Sequence, residues 1–205
     1  MKIDYLPASP RWTSLKAEVV DFDGLPPVNT LRVDWPYETT SSDRIAVAGA
    51  LAFSHWSAGR MDFQKPISAL TAQRITEWYA VDNVWVSPGP VRTGGLFLPR
   101  GSRSACLVLG DVHESLPGAL PIAMVGPSTG TAVRPEWVEL ASNASFFALP
   151  GDSSPVLLAA LAAVVLSAEQ LHINTLSFPK LRAERPDLFD RAARLLECVS
   201  LGLVR

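Results

Sequence analysis

From Val156 to Leu166 the chain carries no polar side chain at all. A helix built from such a run has no face to give to water, so it must be covered by other elements on every side. The run is too short to span a bilayer, which takes about 20 apolar residues. It therefore reads as a buried core helix. Gly151-Asp152-Ser153-Ser154-Pro155 leads into it, with Ser153 or Ser154 placed to cap the helix and Pro155 suited to its first turn. His172–Phe178 follows as a β-branched strand, and Pro186 opens another helical segment to about Ser200. Helix 154–169, strand 172–178 and helix 186–200 make an α/β unit.

The other segments extend that architecture. Leu15–Val20 partly alternates and Thr30–Trp35 alternates cleanly up to Pro36, which predicts a strand pair. Ser41 or Ser42 caps a helix to about Ser57, and Ser68 caps a second to about Ala80. Their tryptophans, Trp56 and Trp78, fall on the apolar faces and are expected in the core. Short strands follow at Val84–Val86, Gly95–Leu98, Ser104–Leu109 and Ile122–Val125. The expected fold is a single α/β domain with one mixed β-sheet and about four flanking helices. Within it, 1–40 is the N-terminal strand pair, 41–133 two helices then short strands, and 134–205 the C-terminal helix–strand–helix unit.

A chain of 205 residues, 48% hydrophobic and 19% charged, can bury a full core and has no disordered bias. Its formal charge of −2 argues against general nucleic-acid binding, which needs a basic surface. No signal-like core opens the sequence, so a cytoplasmic protein with no membrane role is expected. Cys106 and Cys198 both lie in apolar runs and read as buried thiols with no need of an oxidising compartment.

Three constellations could carry chemistry. Gly126-Pro127-Ser128-Thr129-Gly130 has the spacing of a nucleophile elbow, and Asp152 and His172 follow in the order acid, base. A hydrolase using Ser128, Asp152 and His172 is thus one reading, although Pro135 breaks the helix such an elbow requires. Asp111, His113 and Glu114 could offer metal ligands but lack helical spacing, and a solvated loop is expected, with no metal and no cofactor. The third is a helix start: Asp152, Ser153 and Ser154 before Pro155, joined by Arg92, Arg100 and Arg103, could hold a small anion such as a phosphorylated or nucleotide ligand. No Walker or dinucleotide fingerprint accompanies them.

The helix at 155–169 followed by Thr175-Leu176-Ser177-Phe178-Pro179 resembles the late helix–strand segment of macro domains, which bind ADP-ribose. That family's Asn- and Gly-rich ligand loops have no counterpart in this sequence, so its function is not carried over. The tract Arg44–Pro90 resembles the segment before the nucleotide loop of 7-deazaguanine-synthase-like ATP pyrophosphatases. Their Ser-Gly-Gly-x-Asp-Ser loop is absent, and Leu107-Val108-Leu109-Gly110-Asp111 stands in its place. Such a relative would be a non-catalytic partner subunit. With a complete core and no complete catalytic set, the expected function is a non-catalytic binding or partner subunit. A protein partner or a homo-oligomer is expected, since six tryptophans and arginine-rich loops suit an interaction surface.

Overall fold

The computed structural model describes residues 1–9, 12–20, 22–93, 101–110 and 118–204. The strands form two sheets, where the sequence predicts one. The first contains β1 (Lys2–Ser9), β2 (Trp12–Glu18), β3 (Thr30–Asp34), β4 (Gly59–Ser68) and β5 (Val86–Arg92), in the order β3-β2-β1-β4-β5. The second contains β6 (Arg103–Leu109), β7 (Leu120–Val125), β8 (Ala132–Val133), β9 (Val138–Ala141), β10 (Ile173–Ser177) and β11 (Gly202–Val204), in the order β11-β10-β6-β7-β9-β8. The expected antiparallel pair is present as β2 and β3, with Leu15 opposite Leu31. β1 was not among the expected strands, yet Lys2-Ile3-Asp4-Tyr5 alternates exposed and buried as a one-sided strand does. It claims β4 as a parallel neighbour, which keeps the first 92 residues in a sheet of their own.

Among the described residues, five α-helices connect these strands: α1 (Ser42–Ala52), α2 (Ala69–Ala80), α3 (Ser154–Ser167), α4 (Pro179–Glu184) and α5 (Pro186–Glu197). The short α4 is additional to the four expected. Ser41 and Ser68 cap α1 and α2 as their sequences predict, accepting from the Arg44 and Thr71 amides at 3.2 Å. α1 stops at Ala52, short of the expected Ser57, and Gly59, at φ +69°, opens β4. The strand expected at Val84–Val86 begins only at Val86 and leaves Trp85 exposed, while Gly95–Leu98 lies outside the described residues.

α1 and α3 pack against each other and form the middle of the molecule. Every residue of α1 is buried, and every residue of α3 except Val156. The apolar run is covered all round, as its composition requires. α1 comes close to the first sheet at Gly49, where a β-carbon would stand 3.0 Å from Ile3 Cγ2. It also buries charge. Asp43 accepts from Arg92 at 2.7 Å and from the Ser68 amide at 2.7 Å, which ties the starts of α1 and α2 to the end of β5. Arg44 is buried as well; desolvation pushes its pKa down, opposed by the charge of Glu169.

In the second sheet, β11, β10, β6, β7 and β9 run parallel and β8 is antiparallel. Ala105, Leu107, Ile122, Val138 and Leu140 turn one face of it to the main core. The two sheets meet where Ser142 and Asn143 seal the free edge of β3. Asn143 accepts from the Arg32 amide at 2.7 Å and donates to the Thr30 carbonyl at 2.8 Å, and Ser142 donates to the Arg32 carbonyl at 2.8 Å.

Gly101 lies where the backbone entering β6 crosses the start of β10. A β-carbon there would stand 2.2 Å from the His172 carbonyl oxygen, the acceptor for the Ser102 and Arg103 amides at 2.9 Å. Because the obstacle is backbone, it cannot rotate away. Gly101→Ala is expected to lower stability by about 3 kcal/mol through overpacking. Urea unfolding checks this, and an unchanged midpoint would contradict it.

Candidate functional site

Four helix ends converge on one cleft of about 320 Å³. The end of α1 contributes Ser54 and His55, and the end of α2 contributes Trp78, Tyr79, Asp82 and Val84. The start of α3 adds Asp152, Ser154, Pro155 and Leu158, while Arg185, Leu188 and Arg191 come from the start of α5 and its first turns. A groove near the end of β10 is larger, at about 440 Å³, but among the described residues Arg182 is the sole charged one lining it. Size alone therefore does not choose between them. The smaller cleft gathers two arginines, two aspartates and a histidine over an apolar floor, the composition of a ligand site.

The start of α3 differs from its sequence reading. Ser153 makes no capping bond and instead donates to Glu184 at 2.7 Å. Asp152 performs the capping, its Oδ1 accepting from the Ser154 amide at 2.8 Å. A carboxylate two residues ahead of that amide reaches it with an Asx turn, and its negative charge suits the positive helix end. The protein thus supplies its own anion at the helix start that, read from the sequence, could hold a small anion. Ser154 is only 4% exposed, and its hydroxyl oxygen accepts from Arg185 Nη1. Arg185 also lies 3.6 Å from Asp152 and pairs with Asp187 at 3.1 Å.

Burial alone would raise the pKa of Asp152. The Ser154 hydroxyl and amide, with the charges of Arg185 and His55, outweigh that and bring it below the ordinary carboxylate value. A depressed folded-state pKa stabilises the fold above the unfolded value, and the contribution is lost as pH falls through the folded value. The stability gap between the wild type and Asp152→Asn is therefore expected to be full at neutral pH and to close below about pH 4. Urea midpoints measured across that range test it; a gap that widens with acid contradicts the assignment.

On the opposite wall, Arg191 is fixed from three directions. It lies 4.7 Å from the Trp78 ring centroid, donates to the Trp78 carbonyl, and pairs with both carboxylate oxygens of Asp82 at 2.7 and 3.2 Å. Trp78 and Trp56 are core residues as expected, and His55 meets Trp56 edge-on at 5.4 Å.

The remaining sequence candidates lie elsewhere. Arg92 is consumed at the start of α1 by Asp43, Ser42 and the Pro66 carbonyl. Arg103 opens β6 beside His172, at the edge where the parallel strands begin. α3 starts at the other edge, after β9, so neither arginine joins its N-terminus. Arg100 and the loop with Asp111, His113 and Glu114 lie outside the described residues. Among the described residues, no three of His, Cys, Asp and Glu gather to hold a metal.

The serine triad is separated by topology. Ser128 is exposed in the turn after the end of β7, while His172 is exposed, at φ +54°, in the turn before β10. β7 and β10 are both parallel to β6, so these turns sit at opposite edges of the sheet. Arg185, Arg191, Asp82 and His55 were not anticipated. The one signal available was Pro186, which marks a helix start and so makes Arg185 a helix-edge cation.

Among the described residues, no helix is long and apolar enough to cross a membrane. Compared with known proteins, the chain matches no family model, no curated protein and no solved structure, so neither resemblance read from the sequence is joined by a family match.

Proposed function

We propose that this chain is a non-catalytic binding protein that takes a small polar ligand in the cleft between the ends of α1 and α2 and the starts of α3 and α5. The observation that carries this reading is the convergence of His55, Asp82, Asp152, Arg185 and Arg191 around an apolar floor. In keeping with a binding role, the Ser154 hydroxyl at the cleft is buried and held by Arg185. A cytoplasmic setting is part of the reading. Both cysteines are free and buried, and burial pushes the Cys198 thiol up to about 11, which makes it unreactive.

A ligand screen by melting shift tests the proposal, because a ligand that binds the folded state alone raises Tm. Ser54→Trp, at the mouth, is expected to fill the cleft and abolish the shift while leaving the unliganded Tm nearly unchanged. A ligand that stabilises the filled variant equally would contradict the reading.

A second reading, as a partner subunit, is supported by three exposed apolar side chains. Phe22 is 89% exposed, Leu25 82% and Trp85 72%. Their loops share an anchor: the Gly24 amide donates to the Trp56 carbonyl and the Gly59 amide to the Trp85 carbonyl. Large apolar side chains exposed on neighbouring loops favour protein contacts. Light scattering after size exclusion, with Trp85→Ser as control, distinguishes an assembly that dissociates from a strict monomer.

A further inference from the structure

We infer that the cleft is built for a small zwitterion with an apolar body, of which an apolar α-amino acid is the simplest form. This inference rests on the reading of the cleft as a ligand site. Among the residues that line it the charges balance, with Arg185 and Arg191 against Asp82 and Asp152, and Asp187 pairs with Arg185 from outside the lining. Its helix ends balance too. The starts of α3 and α5 present positive partial charge, and the ends of α1 and α2 present negative partial charge.

Exposure decides which charges a ligand meets. Arg191 is 13% exposed beneath Asp82, whose side chain is 60% exposed. The wall at α2 therefore presents a carboxylate with an arginine behind it. Arg185, at the start of α5, is 37% exposed; Asp187, Ser154 and Asp152 hold its guanidinium in place, and the exposed part faces the cleft that it lines. A simple anion drawn to Arg185 would gain nothing at Asp82. A simple cation drawn to Asp82 would meet Arg185. A molecule carrying both charges satisfies both walls, its carboxylate on Arg185 and its ammonium on Asp82. Between them, Val84, Pro155, Leu158 and Leu188 offer an aliphatic bed. A volume of about 320 Å³ equals about ten water molecules and accommodates an amino acid with its side chain.

The test uses the whole chain with methyl-labelled leucine and valine, titrated with L-leucine, isocaproate, isopentylamine and inorganic phosphate. L-Leucine is expected to shift the Val84, Leu158 and Leu188 methyl signals saturably. Isocaproate and isopentylamine, each keeping one charge, are expected to bind at least about tenfold more weakly. Asp82→Asn is expected to weaken L-leucine and leave isocaproate unaffected; because Asp82 is also the partner of Arg191, the unliganded spectrum checks that the fold is kept.

An analogue binding as tightly as L-leucine would overturn the inference. Phosphate saturating the same methyls while L-leucine does not would overturn it too, and would leave the cleft standing as a ligand site. Shifts confined to methyls outside the cleft for every probe would overturn both readings.

Discussion

Arg92→Ala is expected to cost about 3–5 kcal/mol of folding stability, because it leaves the Asp43 carboxylate buried without its cation. The Asp43 side chain is 3% exposed, and Arg92 Nη2 lies 2.7 Å from it. The guanidinium also donates to Ser42 Oγ at 2.8 Å and to the Pro66 carbonyl at 2.9 Å, so one side chain fastens α1, β4 and β5. Arg92→Lys keeps the charge but loses the planar fork, and it is expected to recover part of the loss. Combining Arg92→Ala with Asp43→Asn removes the uncompensated charge, so the double variant is expected to be more stable than the sum of the two single changes. Chemical denaturation of the four proteins measures this. Strict additivity would contradict the buried pair.

Leu161→Ala is expected to cost about 2–5 kcal/mol, the range for emptying a fully enclosed leucine site. Leu161 is 0% exposed in the middle of α3, with buried neighbours before and after it. Val156→Ala, at the one position of α3 that is not fully buried, is expected to cost clearly less. Urea midpoints decide between them. Equal losses would mean that α3 is not enclosed on every side.

The parts of this fold that were legible in the sequence are those set by local chemistry. Ser41 and Ser68 announce two helix starts, Pro155 and Pro186 mark two more, and the apolar run of α3 declares its own burial. Sheet membership was not legible, because strand pairing is a long-range matter on which alternation is silent. Lys2–Ser9 pairs with residues near 62, and a strand's own pattern does not name its partner.

The site was half legible. The segment at Asp152–Ser154 drew attention for its helix start, but the roles within it were reversed. The carboxylate caps the helix and the serines bind Glu184 and Arg185. Serine and aspartate both serve as caps, and only the surrounding side chains decide which does. The rest of the cleft was hidden because His55, Asp82 and the pair Arg185 and Arg191 come from three separate segments, after α1, after α2 and at α5, with no shared spacing. Arg92 and Arg103 were misplaced for the complementary reason: proximity to glycines suggested a loop, whereas Arg92 ends a strand and Arg103 begins one.

The most direct test of the account is a methyl spectrum of the labelled chain recorded with and without a mixture of small metabolites. With alanine methyls labelled as well, shifts are expected at Val84, Leu158 and Leu188, around the charged cleft, with Ala183 and Val204 unmoved in the larger groove beside Phe178 and Phe189. Shifts at Ala183 and Val204 with the cleft methyls unmoved would contradict the account.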